Sequence, residues 1–98
     1  MSVLPIGETD RALLDFGQAL ASNPNYSKAY YNRGNAYSRQ GQSDQAIADY
    51  SMALKLNPNY AKAYFNRGNA YLEKGERDRA EADLAKARVL DPELFNRP

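Results

Sequence analysis

The stretch from Asn25 to Tyr37 returns almost unchanged as Asn59 to Tyr71, 34 residues further on. Only Ser27/Ala61 and Tyr31/Phe65 differ. Pro24, Pro58 and Pro92 keep the same step, and so do Gly7, Gly41 and Gly75. A fixed period in this range means one supersecondary unit stacked on copies of itself. Stacked units build extended binding surfaces rather than single deep active sites. The period therefore bounds function as well as fold.

Between the prolines and glycines, apolar residues recur at helical spacing. Tyr30, Gly34 and Tyr37 step by three or four, as do Ala46, Tyr50 and Ala53, with Leu54 four residues after Tyr50. Strand-type alternation is absent. Gly41 and Gly75 stand where a helix C-terminus takes a residue of positive φ. Thr9 and Ser43 precede Asp10 and Asp44, the order expected of N-caps with acids in the first turn. Asn23-Pro24, Asn57-Pro58 and Asp91-Pro92 end helices, because the residue before proline avoids the α region. The spacing predicts five helices, at 9–22, 26–40, 43–56, 60–74 and 77–90.

These residues carry a family resemblance. Tyr30-x-x-Arg33-Gly34-x-x-Tyr37 followed by Ala46, Tyr50, Ala53 and Pro58 resembles the tetratricopeptide repeat. The second copy does too: Tyr64, Arg67, Gly68 and Tyr71, then Ala80, Leu84, Ala87 and Pro92. Arg33 and Arg67 depart from the leucine usual there. The resemblance implies an all-α fold, a right-handed α-solenoid of antiparallel helix hairpins. Residues 1–98 form one domain: a half repeat at 7–26, a repeat at 27–60 and a repeat at 61–94 with a polar C-terminal cap. Gly34 and Ala46, like Gly68 and Ala80, are expected to let paired helices approach closely.

Composition narrows the function. The 98 residues carry thirteen basic and twelve acidic side chains, a balance unlike that of a general nucleic-acid binder. No cysteine or histidine is present, which removes thiol chemistry, the commonest metal ligand and the commonest general base. No phosphate loop, metal-ligand cluster or nucleophile–base set appears. The sequence thus predicts no catalytic residue, metal or cofactor. It also predicts no nucleic-acid or membrane partner. No signal peptide or membrane-length apolar run is read, so the expected location is cytoplasmic.

In the family, the first helix of each repeat lines a concave groove. Opposite the core positions lie Lys28, Tyr31, Asn32, Asn35 and Arg39 on one such helix, and Lys62, Phe65, Asn66, Asn69 and Glu73 on the next. An asparagine offers both a donor and an acceptor, matching the C=O and N–H of an extended peptide. Asn32 and Asn66 are the sharpest candidates for that contact, with Asn35 and Asn69 as a second row. The alternative is that they pack or face water. Lys28, Lys62 and Arg39 either draw acidic or C-terminal carboxylates or simply solubilise the surface. Some family members grip chaperone C-termini with a five-residue clamp of Lys, Asn, Asn, Lys and Arg over three helices. In one register Asn35 and Asn66 match, but Tyr31 replaces the first Lys and the third helix is missing. In the other Asn32 and Lys62 match, and Asn66 replaces the Arg. Two matches do not make that clamp. Arg33 and Arg67 are expected to pair with Asp49 and Asp83 within each repeat, for little energy if exposed.

The two ends differ. Ile47, Met52 and Leu54 are replaced one period later by Glu81, Lys86 and Arg88, as a solvent-facing cap requires. Helix 9–22 instead keeps Ala12, Phe16 and Ala19, whose partner in a complete repeat is a preceding helix. Either Val3, Leu4 and Ile6 cover that face, or another chain does, or the sequence is part of a longer protein. The reading that follows is a non-catalytic adaptor binding an extended peptide segment of a protein partner. The alternative is a repeat protein that self-assembles, as a homodimer, through Ala12, Phe16 and Ala19.

Overall fold

The computed structural model describes residues 7–96. Five helices follow in order: α1 (Glu8–Ser22), α2 (Ser27–Arg39), α3 (Ser43–Leu56), α4 (Ala61–Glu73) and α5 (Arg77–Leu90). A 3-10 helix, Pro92–Phe95, follows α5. No strand occurs among the described residues. Each helix packs on the next, and α2 also meets α4, so the array extends over 51 × 29 × 25 Å. Val3, Leu4 and Ile6, read as one cover for α1, lie outside the described residues.

The turns follow from the punctuating residues. Gly41 and Gly75 adopt φ of 74° and 78°. After α2, the Gln42 N–H donates to the Tyr37 carbonyl at 2.9 Å and the Gly41 N–H to that of Ser38 at 3.0 Å. Gly75 and Glu76 repeat both bonds onto Leu72 and Tyr71. This is the Schellman closure, in which a left-handed residue turns the chain back onto orphan carbonyls. The longer turns use an acceptor two residues upstream instead. Asn23, Asn57 and Asp91 each accept from the backbone N–H two residues on, at 3.2, 3.3 and 3.2 Å.

The N-cap expectation fails at both places. Gly7 and Gln42 cap α1 and α3, without a side-chain cap bond. Thr9 lies within α1, and Ser43 is the first residue of α3, its hydroxyl donating to Glu73 at 3.1 Å. Their acids still fall in the first turn, where the helix dipole favours them.

The core is built largely from alanine. Ala29, Ala36, Ala46, Ala53, Ala63, Ala70, Ala80 and Ala87 are at most 3% exposed. Side chains this small let helix axes approach, and larger residues then fill the remaining space. Tyr50 does so at 1% exposure. A β-carbon on Gly34 would lie 2.7 Å from the Tyr50 ring, so the ring rests on glycine backbone. Gly68 sits likewise against Leu84 and the Ala80 carbonyl.

Polar bonds brace each hairpin. Arg33 reaches both carboxylate oxygens of Asp49 at 2.8 Å, and Arg67 those of Asp83 at 2.7 Å. Both aspartates are buried. The hydrogen bonds raise both guanidinium pKa values. The pairs thus form as the sequence suggests, but as two-pronged bonds to buried carboxylates, which are stronger than surface pairs. Ser27 also donates to the Ala53 carbonyl at 2.9 Å. Ala61, its counterpart, has no hydroxyl to do so.

Candidate peptide-binding site

The ten residues expected to line one groove are dispersed over several environments. Asn35, Arg39, Asn66 and Asn69 converge on a polar cleft of about 250 Å³ between α2 and α4. Ser38 and Tyr50 complete its wall. Tyr50 belongs to α3, the outer helix, so a pattern based on inner helices does not find it. Its ring is core, while its hydroxyl reaches the cleft. The only sequence signal for that double role was its helical step beside Ala46 and Ala53.

A hydrogen-bond network fixes the cleft. The Tyr50 hydroxyl donates to Asn35 Oδ1 at 2.6 Å. Asn66 Nδ2 donates to the same oxygen at 2.8 Å and to the Tyr31 hydroxyl at 3.1 Å. Three helices are thereby tied through one asparagine oxygen. Burial pushes the Tyr50 phenol pKa well up, with Tyr31 nearby adding to the shift. Two groups keep their bonding capacity among the described residues: Asn35 Nδ2, a donor, and Asn66 Oδ1, an acceptor. Arg39 and Asn69 are exposed at the same cleft.

The other candidates lie elsewhere. Tyr31 turns its ring into the packing between repeats, with centroids 5.9 Å from Tyr50 and 4.8 Å from Tyr60. Phe65 is met edge-on by Phe95 of the 3-10 helix, at 5.1 Å. Glu73 is drawn to Ser43 at the start of α3. Lys28 and Lys62 are exposed and make no ion pair among the described residues. Asn32 is separated from Asn66 altogether. It lines a second cleft of about 290 Å³ with Asp15, Phe16 and Ala19 of α1, and Tyr26 and Ala29. Ala12, Phe16 and Ala19 are all half-buried.

A third cleft, of about 800 Å³, lies on the opposite side of α1 and was not foreseen. Its wall includes Leu13, Leu14, Gly17, Arg33 and Tyr37. One period later Ser51 stands in place of Gly17 and accepts from Arg67 at 3.0 Å. Glycine cannot accept that bond from Arg33, which leaves the space open.

At the C-terminal end Glu81, Lys86 and Arg88 are exposed, as a cap requires. The Arg88 guanidinium also lies 4.5 Å from the centre of the Phe95 ring. No helix among the described residues is long and apolar enough to cross a membrane. Nor does any group of three or more acidic side chains there suit a metal ion.

Comparison with known proteins places this geometry. A family model described as TPR repeat matches residues 34–75, and models described as tetratricopeptide repeat match 16–48 and 61–94. A crystal structure of MamA superposes with a TM-score of 0.84 at 33% identity, over 94% of this chain and 54% of that one. The chain thus spans about half the length of that relative. The first TPR of Spaghetti (RPAP3), bound to the HSP90 peptide SRMEEVD, has a TM-score of 0.85 at 29% identity. That match covers 88% of this chain and 68% of the other. The second TPR of the same protein, bound to the same peptide, gives 0.84 at 26% identity over 87% and 79%. No curated protein matches the sequence.

Proposed function

This chain belongs to the tetratricopeptide repeat family, and from that premise we infer that it is a non-catalytic interaction module. Its ligand is an extended, acidic peptide segment of a protein partner, held in the cleft between α2 and α4. The observation that carries this reading is the pair of unused valences on Asn35 and Asn66. The network through Tyr50 and Tyr31 holds both amides in the cleft wall, and in our reading their free donor and acceptor serve the peptide. Such preorganisation lowers the ordering cost of binding. A peptide backbone offers the complementary C=O and N–H whatever its side chains. Arg39 adds positive charge at the same cleft, which favours acidic residues. The RPAP3 neighbours, of similar fold, hold a peptide rich in glutamate and aspartate.

The test is selection from a random peptide library, followed by anisotropy titrations of the selected peptides. One neutral hydrogen bond is worth roughly 0.5–1.5 kcal/mol, or about two- to tenfold in affinity. Asn66→Ala and Asn69→Ala are expected to weaken binding by that factor, with helicity retained by circular dichroism. Asn32→Ala is expected to leave it unchanged, because Asn32 lines a different cleft. Arg39→Glu is expected to disfavour acidic peptides most. Selected peptides indifferent to Asn66→Ala, Asn69→Ala and Arg39→Glu would refute the reading.

A further inference from the structure

The unforeseen cleft of about 800 Å³ lies where α1 meets the helix that follows it. Arg33 and Tyr37 of α2 form one wall, and Leu13, Leu14, Gly17 and Ala21 of α1 the other. Phe16 and Ala19, on the face that a preceding helix would take, line a different cleft. The repeat itself keeps the two faces apart. Ala48 stands one period after Leu14 and is exposed, although α3 has α2 packed before it. A helix ahead of α1 in the same register would therefore leave Leu14, 60% exposed, as open as it is.

The same junction one period later shows how such a cleft is filled. There Ser51 accepts from Arg67 Nη1 at 3.0 Å, and the Arg79 guanidinium lies over the Tyr71 ring, 5.9 Å from its centre. Beside α1, Gly17 replaces Ser51, Ala21 replaces Lys55 and, on α3, Gln45 replaces Arg79. A β-carbon on Gly17 would meet no atom within 4 Å among the described residues. Arg33 is meanwhile held in place, because its Nε and Nη2 both donate to Asp49. Its Nη1, the atom that Arg67 gives to Ser51, donates to nothing among the described residues.

These walls define the chemistry of an occupant. Leu13, Leu14 and Ala21 suit an apolar body, and the free Arg33 donor suits an oxygen. Asp49 already neutralises the guanidinium, and Asp10 lies at the same cleft, so an anion would meet two carboxylates. The matching oxygen is therefore neutral, as the Ser51 hydroxyl is. An apolar cavity of this volume with one fixed polar group has the size and make-up of small-molecule sites. We propose that the α1–α2 cleft binds a neutral small molecule, with an apolar body and a hydroxyl or carbonyl oxygen that accepts from Arg33. The site is separate from the polar cleft between α2 and α4 and does not depend on it.

The probe is benzyl alcohol, titrated into the full chain and followed by backbone amide shifts in NMR spectra. Small ligands gain little per atom, so a dissociation constant on the order of 10 mM is expected, with shifts centred on Leu14, Gly17, Ala21 and Tyr37. Benzoate, the anionic analogue, is expected to bind more weakly. Gly17→Ser supplies the acceptor from within the chain. It should weaken binding further than Gly17→Ala does, by the roughly two- to tenfold that one hydrogen bond is worth. Both variants should keep the parent's helicity, since the added carbon meets open space. Absence of shifts up to about 50 mM alcohol would overturn the proposal. So would tighter binding of benzoate, equal binding by Gly17→Ser and Gly17→Ala, or shifts confined to the polar cleft. A variant combining Val3→Ser, Leu4→Ser and Ile6→Ser tells the chain's own first residues from a ligand. Binding seen only in that variant, or strengthened there by more than about tenfold, would assign the cleft to residues 1–6 and equally overturn it.

Discussion

Replacing Gly34 by alanine adds a single carbon where the Tyr50 ring leaves no room. That carbon would stand 2.7 and 2.9 Å from two ring atoms and 3.2 Å from a third. Carbon atoms rest at about 3.5–4.0 Å, so the ring must retreat by nearly an ångström. It is 1% exposed, and its hydroxyl is bonded to Asn35, so it has little room to do so. Overpacking of this kind costs about 1–3 kcal/mol. Loss of the hydroxyl bond adds roughly 0.5–1.5 kcal/mol. Alanine's better helix propensity returns about 1 kcal/mol. The expected net destabilisation is about 0.5–3.5 kcal/mol. Gly68→Ala is the internal control, at the same register of the next repeat. There the obstacles are the Leu84 side chain at 2.9 and 3.0 Å and the Ala80 carbonyl at 3.3 Å. Leu84 is only half-buried and has no polar bond to lose. Rotation of that side chain relieves the two closest contacts, so the net change should stay within about 1 kcal/mol. Urea denaturation decides the comparison, since small domains lose about 1–3 kcal/mol per molar urea. The expected midpoint for Gly34→Ala is clearly below that for Gly68→Ala. Equal midpoints, or the reverse order, would refute the argument that a rigid, bonded ring sets the cost.

Arg67→Met should cost roughly 1–3 kcal/mol, because it leaves the buried Asp83 carboxylate without its two-pronged donor. A loss below about 0.5 kcal/mol in urea denaturation would reduce the pair to an ordinary surface bridge. Stability should also fall in strong alkali. Burial raises the Tyr50 pKa above its ordinary 10.0, so the folded state favours the neutral phenol. That contribution is fully present below about pH 10 and is lost as the pH rises from there toward the folded-state value. Melting temperatures should decline above that point and decline less steeply in Tyr50→Phe; identical slopes would contradict the assignment.

Much of the fold was legible because each repeat is locally self-sufficient. The glycines at 41 and 75 and the Asn/Asp-Pro pairs act over four or five residues, and the turns form where those residues stand. Thr9 and Ser43 misled as caps, since either end of a short polar run can begin a helix. The geometry favoured Gly7 and Gln42.

The candidate site was less legible. Helical spacing places Asn32 and Asn66 in the same register, and that reading is correct for position. Their surroundings differ because Asn66 has a preceding inner helix beside it, while among the described residues Asn32 has none. Phe65 is covered because the 3-10 helix Pro92–Phe95 folds back on it. Sequence periodicity describes one repeat at a time, so by itself it determined the helices, the turns, the alanine core and the Arg–Asp pairing. Contacts between repeats belong to the assembled array. Only the tertiary structure therefore decided which asparagines share a cleft and that Tyr50 of the outer helix orients them.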